Sequence, residues 1–412
     1  MPEKPQLSIV NHPEGNYITI EGKEKETRFF IVQKGSVGIS NSIPFITNKK
    51  NSTLGPGDFF GVIAAMSGFT QIETTMSLSA VELVVVDKSQ FEGLIRFNTP
   101  IAMKIIQQFS RRVRQLNSIL TELTRNAENA DEDVEILYKN ALYYMKEKKM
   151  NRAFYCFKRY VECFPSAENV QKARVAIKAL ISYNKPGFKV TSANESVRLY
   201  PKGNLICSEG EFGEEMFIIQ SGMANVFKIV NGMQVVLSVI KAGDIFGEMC
   251  LLEAKPRSAS VVVLEDCLVT VITKQNFELM VSLKPQIIGR ITQMLAERIW
   301  FMYKQIANAA IKDPVARFFD VLCIQMERDK VVVAPFTQHI FNFNVDQFMK
   351  MANIEDVDKR KIVTLISEDN KFKIVSDKLL VTDVMEIIRL NDFYKKQSGR
   401  NKNHIHGYSQ HR

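Results

Sequence analysis

The stretch FGEMCLLEAKPRSASV, residues Phe246 to Val261, sets a glycine, a carboxylate and a guanidinium among apolar residues. Gly247 lets the backbone approach a ligand closely. A helical turn over Met249 to Leu252, with Cys250 inside it, would aim unpaired N–H groups at an anion. The fork of Arg257 matches phosphate oxygens. Glu248 has the wrong sign for that anion, but accepts well from a sugar hydroxyl. Ser258 and Ser260 add small hydroxyls beside them. The seven residues Gly247, Glu248, Met249, Cys250, Arg257, Ser258 and Ser260 form a candidate binding set for a phosphate ester of a sugar.

The same pattern stands earlier in the chain. Gly57-Asp58 and Phe60-Gly61 match Gly243-Asp244 and Phe246-Gly247 at an offset of 186, and Gly15, Gly22 and Gly35 match Gly203, Gly210 and Gly222 at 188, 188 and 187. Between these glycines lie short apolar runs, such as Phe29–Val32, Val81–Val86 and Met216–Ile219, which read as strands of a barrel or sandwich. An amphipathic stretch with helical spacing follows each unit, at about 100–125 and 285–312. The chain therefore holds one module of strands plus helix twice. In the first copy Val62 stands for Glu248, Gln71 for Arg257, and Ile72-Glu73 for Ser258-Ala259. Burying a phosphate there without a cation would cost roughly several kcal/mol. The first copy is expected to keep the fold and not to bind.

Between the copies, residues 132–184 are helical. Tyr144, Ala153, Phe157 and Pro165, with Leu137 and Ala141, fall at the spacing of a tetratricopeptide repeat. One such repeat cannot bury its own face, so a hairpin packed on its neighbours is expected. Beyond Pro314–Gln325, short helices at 345–351 and 357–367 precede strands Phe372–Val375 and Lys378–Thr382, the outline of a winged helix. The fold class is α+β multidomain: β-barrel or jelly-roll modules at 6–125 and 190–312, a helical segment at 132–184, a winged helix-turn-helix at 313–392, and a disordered basic tail at 393–412.

The Phe246–Val261 segment resembles the phosphate-binding cassette of the cyclic nucleotide-binding domain, shared by catabolite activator (Crp/Fnr) proteins and protein kinase A regulatory subunits. PKGNLICSEGEFGEEMFIIQSG (201–222) looks like that domain's opening strands, so the likeness spans about 195–310. The resemblance implies that Glu248 meets the ribose 2′-hydroxyl and Arg257 the cyclic phosphate. Residues 284–318 are similar to the dimer helix and hinge of the Crp group, including Asp313 and Arg317. The Thr–Ser pair with which cyclic-AMP activators of that group reach adenine falls on Met302 and Tyr303. Tyr303 could stack on a purine, and Ser258 could serve a guanine amino group. Cyclic AMP is the expected ligand and cyclic GMP the alternative. Trp300, with Ile287, Ile291, Met294, Ile299 and Met302, predicts a helix–helix seam and a homodimer.

VDQFMKMANIEDVDKRKIVTLISEDNKFKIVSDKLLVTDVMEI (345–387) is similar to the winged helix-turn-helix of Crp/Fnr regulators, with one departure. The family's base-reading set is replaced by Glu355, Asp356, Val357, Asp358, Lys359, Arg360 and Lys361. The carboxylates suit a helix start and disfavour phosphate, while Lys359, Arg360 and Lys361 could contact a DNA backbone. Two outputs follow: a nucleotide-gated transcriptional regulator, or a signalling adaptor whose winged helix binds protein. In either, nucleotide would close the cassette on helix 285–312 and reposition the segment after Asp313.

Other classes are disfavoured. The six cysteines show no CxxC pair, which argues against a zinc site or disulfide framework. The five histidines form no catalytic or metal-ligand arrangement, and no GxxxxGK[ST], HRD or DFG motif occurs. No enzyme, metal or cofactor is expected. With no long apolar run and no signal-like start, the expectation is a cytoplasmic chain away from the membrane. The net charge of +9 is only mildly basic for this length.

Overall fold

The repeat glycines stand where the backbone turns left-handed. Gly15, Gly22, Gly35, Gly57 and Gly61, and their counterparts Gly203, Gly210, Gly222, Gly243 and Gly247, all have φ between 76° and 91°, a region open to glycine at little cost. Space is decisive at the third pair: a Cβ on Gly35 would lie 2.3 Å from the Ala80 carbonyl oxygen, and one on Gly222 2.2 Å from that of Asp266. This computed structural model describes residues 7–23, 26–43, 53–97, 99–125, 134–184, 186–191, 196–230, 232–253, 255–277, 285–354 and 356–406. They fall into two compact units, Met1–Trp300 and Phe301–Arg412.

In the first module, β1 (Ser8–His12), β2 (Tyr17–Thr19), β3 (Arg28–Lys34), β4 (Val37–Ser40), β5 (Thr53–Leu54), β6 (Phe59–Phe60), β7 (Thr74–Ser77) and β8 (Val81–Asp87) form two four-stranded sheets. Their orders, β1-β8-β3-β6 and β2-β7-β4-β5, are those of a jelly roll. Helix α1 (Val62–Ser67) follows β6, and α2 (Phe91–Phe97) and α3 (Thr99–Arg125) follow β8. In the second module the strands are β9 (Lys189–Val190), β10 (Val197–Tyr200), β11 (Leu205–Cys207), β12 (Glu215–Val230), β13 (Met233–Lys241), β14 (Ile245–Phe246) and β15 (Ser260–Thr273). They make one seven-stranded sheet, because β12 and β15 shift register along their length instead of breaking. Among the described residues neither sheet system closes into a barrel, so of the two forms expected, the open jelly roll is the one seen. The copies share finer detail too. Phe30 pairs with Phe60 and Phe217 with Phe246 across the equivalent strands, and the rings stack at 5.1 and 5.0 Å.

Helices α4 (Ile136–Lys146), α5 (Met150–Cys163) and α6 (Val170–Ala179) lie between the modules in sequence. Tyr144, Ala153 and Phe157 are buried in a cluster that takes in Leu205, Phe227 and Val262 of the second module. Helices α7 (Glu248–Glu253) and α8 (Pro285–Ala309) complete that module. The buried face of α8 in the first unit is Ile288, Ile291, Leu295, Ile299 and Trp300, while Ile287 and Met294 are half-buried. Within the first unit that face is covered by the chain itself.

The second unit holds α9 (Pro314–Arg328), β16 (His339–Ile340), α10 (Val345–Met351), α11 (Asp356–Glu368), β17 (Phe372–Val375), β18 (Lys378–Val381) and α12 (Val384–His406). Asp313 caps α9, its side chain accepting from Ala316 N–H at 2.7 Å ahead of Pro314. The sheet order is β16-β18-β17. Ser376 and Asp377, at φ 48° and 62°, form the tight turn between β17 and β18. The tail expected to be disordered from residue 393 is helical to His406. Tyr394 stacks on Phe319 at 5.2 Å and Lys395 pairs with Asp320, which anchors α12 to α9. Glu355 and His411 lie outside the described residues. Among those described, no helix is long and apolar enough to cross a membrane.

Candidate functional site

Glu248 opens α7 directly after β14, a position fixed by the Gly247 turn. It is 2% exposed. One carboxylate oxygen accepts from Arg298 Nη1 at 2.9 Å, and Arg298 also donates to the Ile245 carbonyl at 2.8 Å. The other oxygen is buried without a partner.

Arg257 is 5% exposed. Its Nη1 donates to the Gly247 carbonyl at 2.8 Å and its Nη2 to the Glu215 carbonyl at 2.7 Å. Its Nε is buried without a partner. The guanidinium lies 5.3 Å from the Phe217 ring centroid. Two glycines make room for it: a Cβ on Gly247 or Gly213 would stand 2.4 or 2.8 Å from its nitrogens. Burial works against the charge of Arg257, but Cys207, Cys250, Glu211 and Tyr155 outweigh it and raise the pKa above its ordinary value. Burial likewise pushes the Glu211 carboxyl up, opposed by Arg159, Arg257 and the Tyr155 hydroxyl. Tyr155 and Arg159 on α5 donate to Glu211 at 2.8 and 3.4 Å, so the helical segment buttresses the loop beneath Arg257.

A buried charged group with an unmet polar atom carries a desolvation cost of about 1–3 kcal/mol or more. Glu248 and Arg257 each have one, an acceptor on the first and a donor on the second. That is the complement of a hydroxyl and an anion. Met249 and Cys250 are buried beneath them, and the Ser258 hydroxyl points to Met249 Sδ at 3.6 Å. Ser260 is fully buried and accepts from Glu209 N–H at 2.9 Å, which ties it to the backbone. Met302 and Tyr303 are buried on α8 but belong to the second unit. On α11, Lys361 pairs with Asp358 at 3.1 Å, Arg360 is exposed and Lys359 half-buried.

The structure also places residues that motif reading missed: Arg298, Glu211 and Tyr155. Arg298 had a signal, because the cassette offset takes it to Arg112, which bonds Glu73 at 3.1 Å in the first copy.

The first copy reproduces the frame. Gly22 N–H donates to the Gln71 carbonyl at 2.8 Å and Gln71 N–H to the Lys23 carbonyl at 3.3 Å; the counterpart bonds join Gly210 to Arg257 and Arg257 to Glu211, each at 2.9 Å. Gln71 therefore occupies the Arg257 position, and buried Val62 that of Glu248.

The profile of the cyclic nucleotide-binding domain matches residues 9–98 and 197–282. A cAMP-dependent protein kinase regulatory subunit of Aspergillus niger is 37% identical over 90 residues, 22% of this chain and 21% of the relative. The cyclic AMP receptor protein of Thermus thermophilus is 30% identical over 103 residues, 25% of this chain and 48% of the relative. A cAMP-dependent protein kinase regulatory subunit of Eremothecium gossypii is 25% identical over 264 residues, 64% of this chain and 42% of the relative. The chain spans less than half the length of each. The domain profile thus matches this chain twice, once in each module.

Proposed function

We propose that this chain, with its two cyclic nucleotide-binding domains, is a cyclic AMP receptor that binds one nucleotide, in the second domain, and relays it to the C-terminal unit. The observation that carries the reading is the pair of unmet buried atoms: the free Glu248 oxygen takes the ribose 2′-hydroxyl and Arg257 Nε the cyclic phosphate, with Gly247, Met249, Cys250 and Ser258 shaping the pocket around them. Ser260 supports the cassette through the backbone. Arg298 links Glu248 and the Ile245 carbonyl to α8, so occupancy bears on the helix that continues toward Met302, Tyr303 and the Asp313 cap. The nucleotide shifts a population between two settings of that helix. Calorimetric titration of the full chain with cyclic AMP and cyclic GMP tests this. One site per chain with cyclic AMP bound more tightly is expected; two sites, or none, overturns it.

For the output we infer a winged helix of the Crp/Fnr type, supported by the order α10, α11, β17, β18 and by the Ser376-Asp377 turn. Lys359, Arg360 and Lys361 would meet DNA phosphates. A second reading, protein contact through the same unit, is favoured by Val357 and Val363 on α11, 79% and 51% exposed. A gel shift on genomic fragments, with and without nucleotide and across salt concentrations, decides between them. Nucleotide-dependent, sequence-selective retardation supports the regulator; none at low salt leaves the adaptor.

A further inference from the structure

The two modules touch reciprocally. Trp300 on α8 stacks on Phe69 with centroids 4.3 Å apart and donates Nε1–H to the Thr70 carbonyl at 3.0 Å. Arg114 on α3 donates from Nη1 to the Pro256 carbonyl at 3.2 Å. The offset of 186 that aligns the cassettes carries Arg114 onto Trp300 and Thr70 onto Pro256. Each module's last helix thus reaches the same carbonyl in the other module, one residue before the position of Arg257 or its counterpart Gln71. When a contact and its image are both present, the interface is of the two-fold, isologous kind, here between halves of one chain. Helix α3 lies against α7, the cassette helix of the other module. Ile105, Ile106, Phe109, Val113 and Leu116 on α3 are buried, like the matching face of α8.

The symmetry breaks in the chemistry of the side chain delivered. Over the first module's cassette stands an indole, packed on Phe69. At the second module's cassette stands a guanidinium, 9% exposed. Its charge and that of Arg257 both draw the Cys250 thiol down against the burial that raises it, which places Arg114 beside the same helix.

We propose that the first module serves as the second half of an intramolecular pair that completes the nucleotide site, and that Arg114 is a ligand-site residue, its planar guanidinium meeting the purine. An arginine plane stacks on a base and donates to its acceptor edge. This rests on the reading that the second module binds a cyclic purine nucleotide. The first module therefore acts in cis as a lid, which accounts for a copy that has the frame without the ligand-reading side chains.

Calorimetry on the full chain, titrated with cyclic AMP and with cyclic CMP, tests the proposal. Arg114→Gln should raise the cyclic AMP dissociation constant on the order of 10-fold and narrow the preference for purine over pyrimidine. Arg114→Lys preserves stem and charge without the plane; it should hold the ligand-free melting temperature while still losing purine preference. If wild type binds neither nucleotide, the Glu248–Arg257 reading falls and this inference with it. If wild type binds and both variants keep its constants and its preference, this inference alone falls.

Discussion

The two modules are one frame carrying different side chains. They share left-handed glycines, a stacked phenylalanine pair between equivalent strands, and the same two backbone bonds at the Gln71 and Arg257 positions. They differ at the groups that read charge: Val62 against Glu248, Gln71 against Arg257, Lys23 against Glu211, Glu73 against Ala259. Both arginine-position side chains have a buried atom without a partner. Only in the second module is that atom on a charged group, and there the Glu248 carboxylate also has one. The difference teaches that the fold depends on glycines and apolar pairs, whereas the proposed binding rests on a few polar atoms the fold leaves unmet.

The largest expected effect lies in the contact between the modules. Trp300→Ala removes a fully buried indole, its stack on Phe69 and its hydrogen bond to Thr70, and should cost about 3–5 kcal/mol of unfolding free energy. Urea denaturation of the full chain measures it. A loss below about 1 kcal/mol would mean that the modules stand independently and that the reciprocal contact is incidental.

Next comes the charged centre. Arg257→Ala takes away the proposed phosphate cation and should weaken cyclic AMP about 100-fold or more, at roughly 2–5 kcal/mol for a desolvated charged partner. The reverse graft, Val62→Glu with Gln71→Arg in the first module, should create no second site, because Glu73 stays beside Arg112 and the Trp300–Phe69 stack still closes that cassette. Two nucleotides bound per chain of the graft would show that the two side chains alone separate the modules.

Sequence reading reached the frame and the cassette because the repeat constrains both: glycine positions fix the turns, and the gapless offset fixes Gln71 opposite Arg257. The helical spacing of α8 was legible as well, one residue out of phase at Ile287 and Met294, since 3.6-residue periodicity tolerates that slip. The Arg114 contact was not legible, because it depends on how two modules pair, and no local pattern encodes a contact between residues 114 and 256. Ser260 looked like a ligand hydroxyl by proximity in sequence, yet strand pairing turns it to the Glu209 amide. The helix past residue 393 escaped notice because a basic composition masks the anchoring by Tyr394 and Lys395.

A smaller effect separates the proposed ribose reader, Glu248, from the proposed phosphate reader, Arg257. Glu248→Gln leaves an acceptor but removes the charge and weakens the tie to Arg298. It should raise the cyclic AMP Kd about 10-fold, in the range of a hydrogen bond to a charged group. Titration with 2′-deoxy cyclic AMP completes the cycle: the deoxy analogue should lose affinity against wild type and little further against the variant. Equal losses in both would place the hydroxyl elsewhere.

The smallest expected effect is a slope with pH. The first module contains no cysteine, whereas the second holds Cys207, Cys250 and Cys267. Burial pushes Cys207 up to about 12 and Cys267 to about 11, and raises Cys250 too. Above pH about 9 the unfolded thiols release protons that the folded ones keep. The folded state then binds more protons, and stability falls as pH rises until the folded thiols themselves ionise near 11 to 12. Iodoacetamide at pH 8.5 should accordingly leave Cys207 and Cys250 unlabelled in the native chain and modify both in urea, as read by peptide mass spectrometry. Under mild urea, cyclic AMP should slow labelling of Cys250, since it sits on α7, which packs against α3 and which the proposed nucleotide would hold from the other side. Labelling of native Cys250 at the rate of a free thiol would show that this helix is not packed against its neighbour, and the contrast between the two modules would then lose its structural basis.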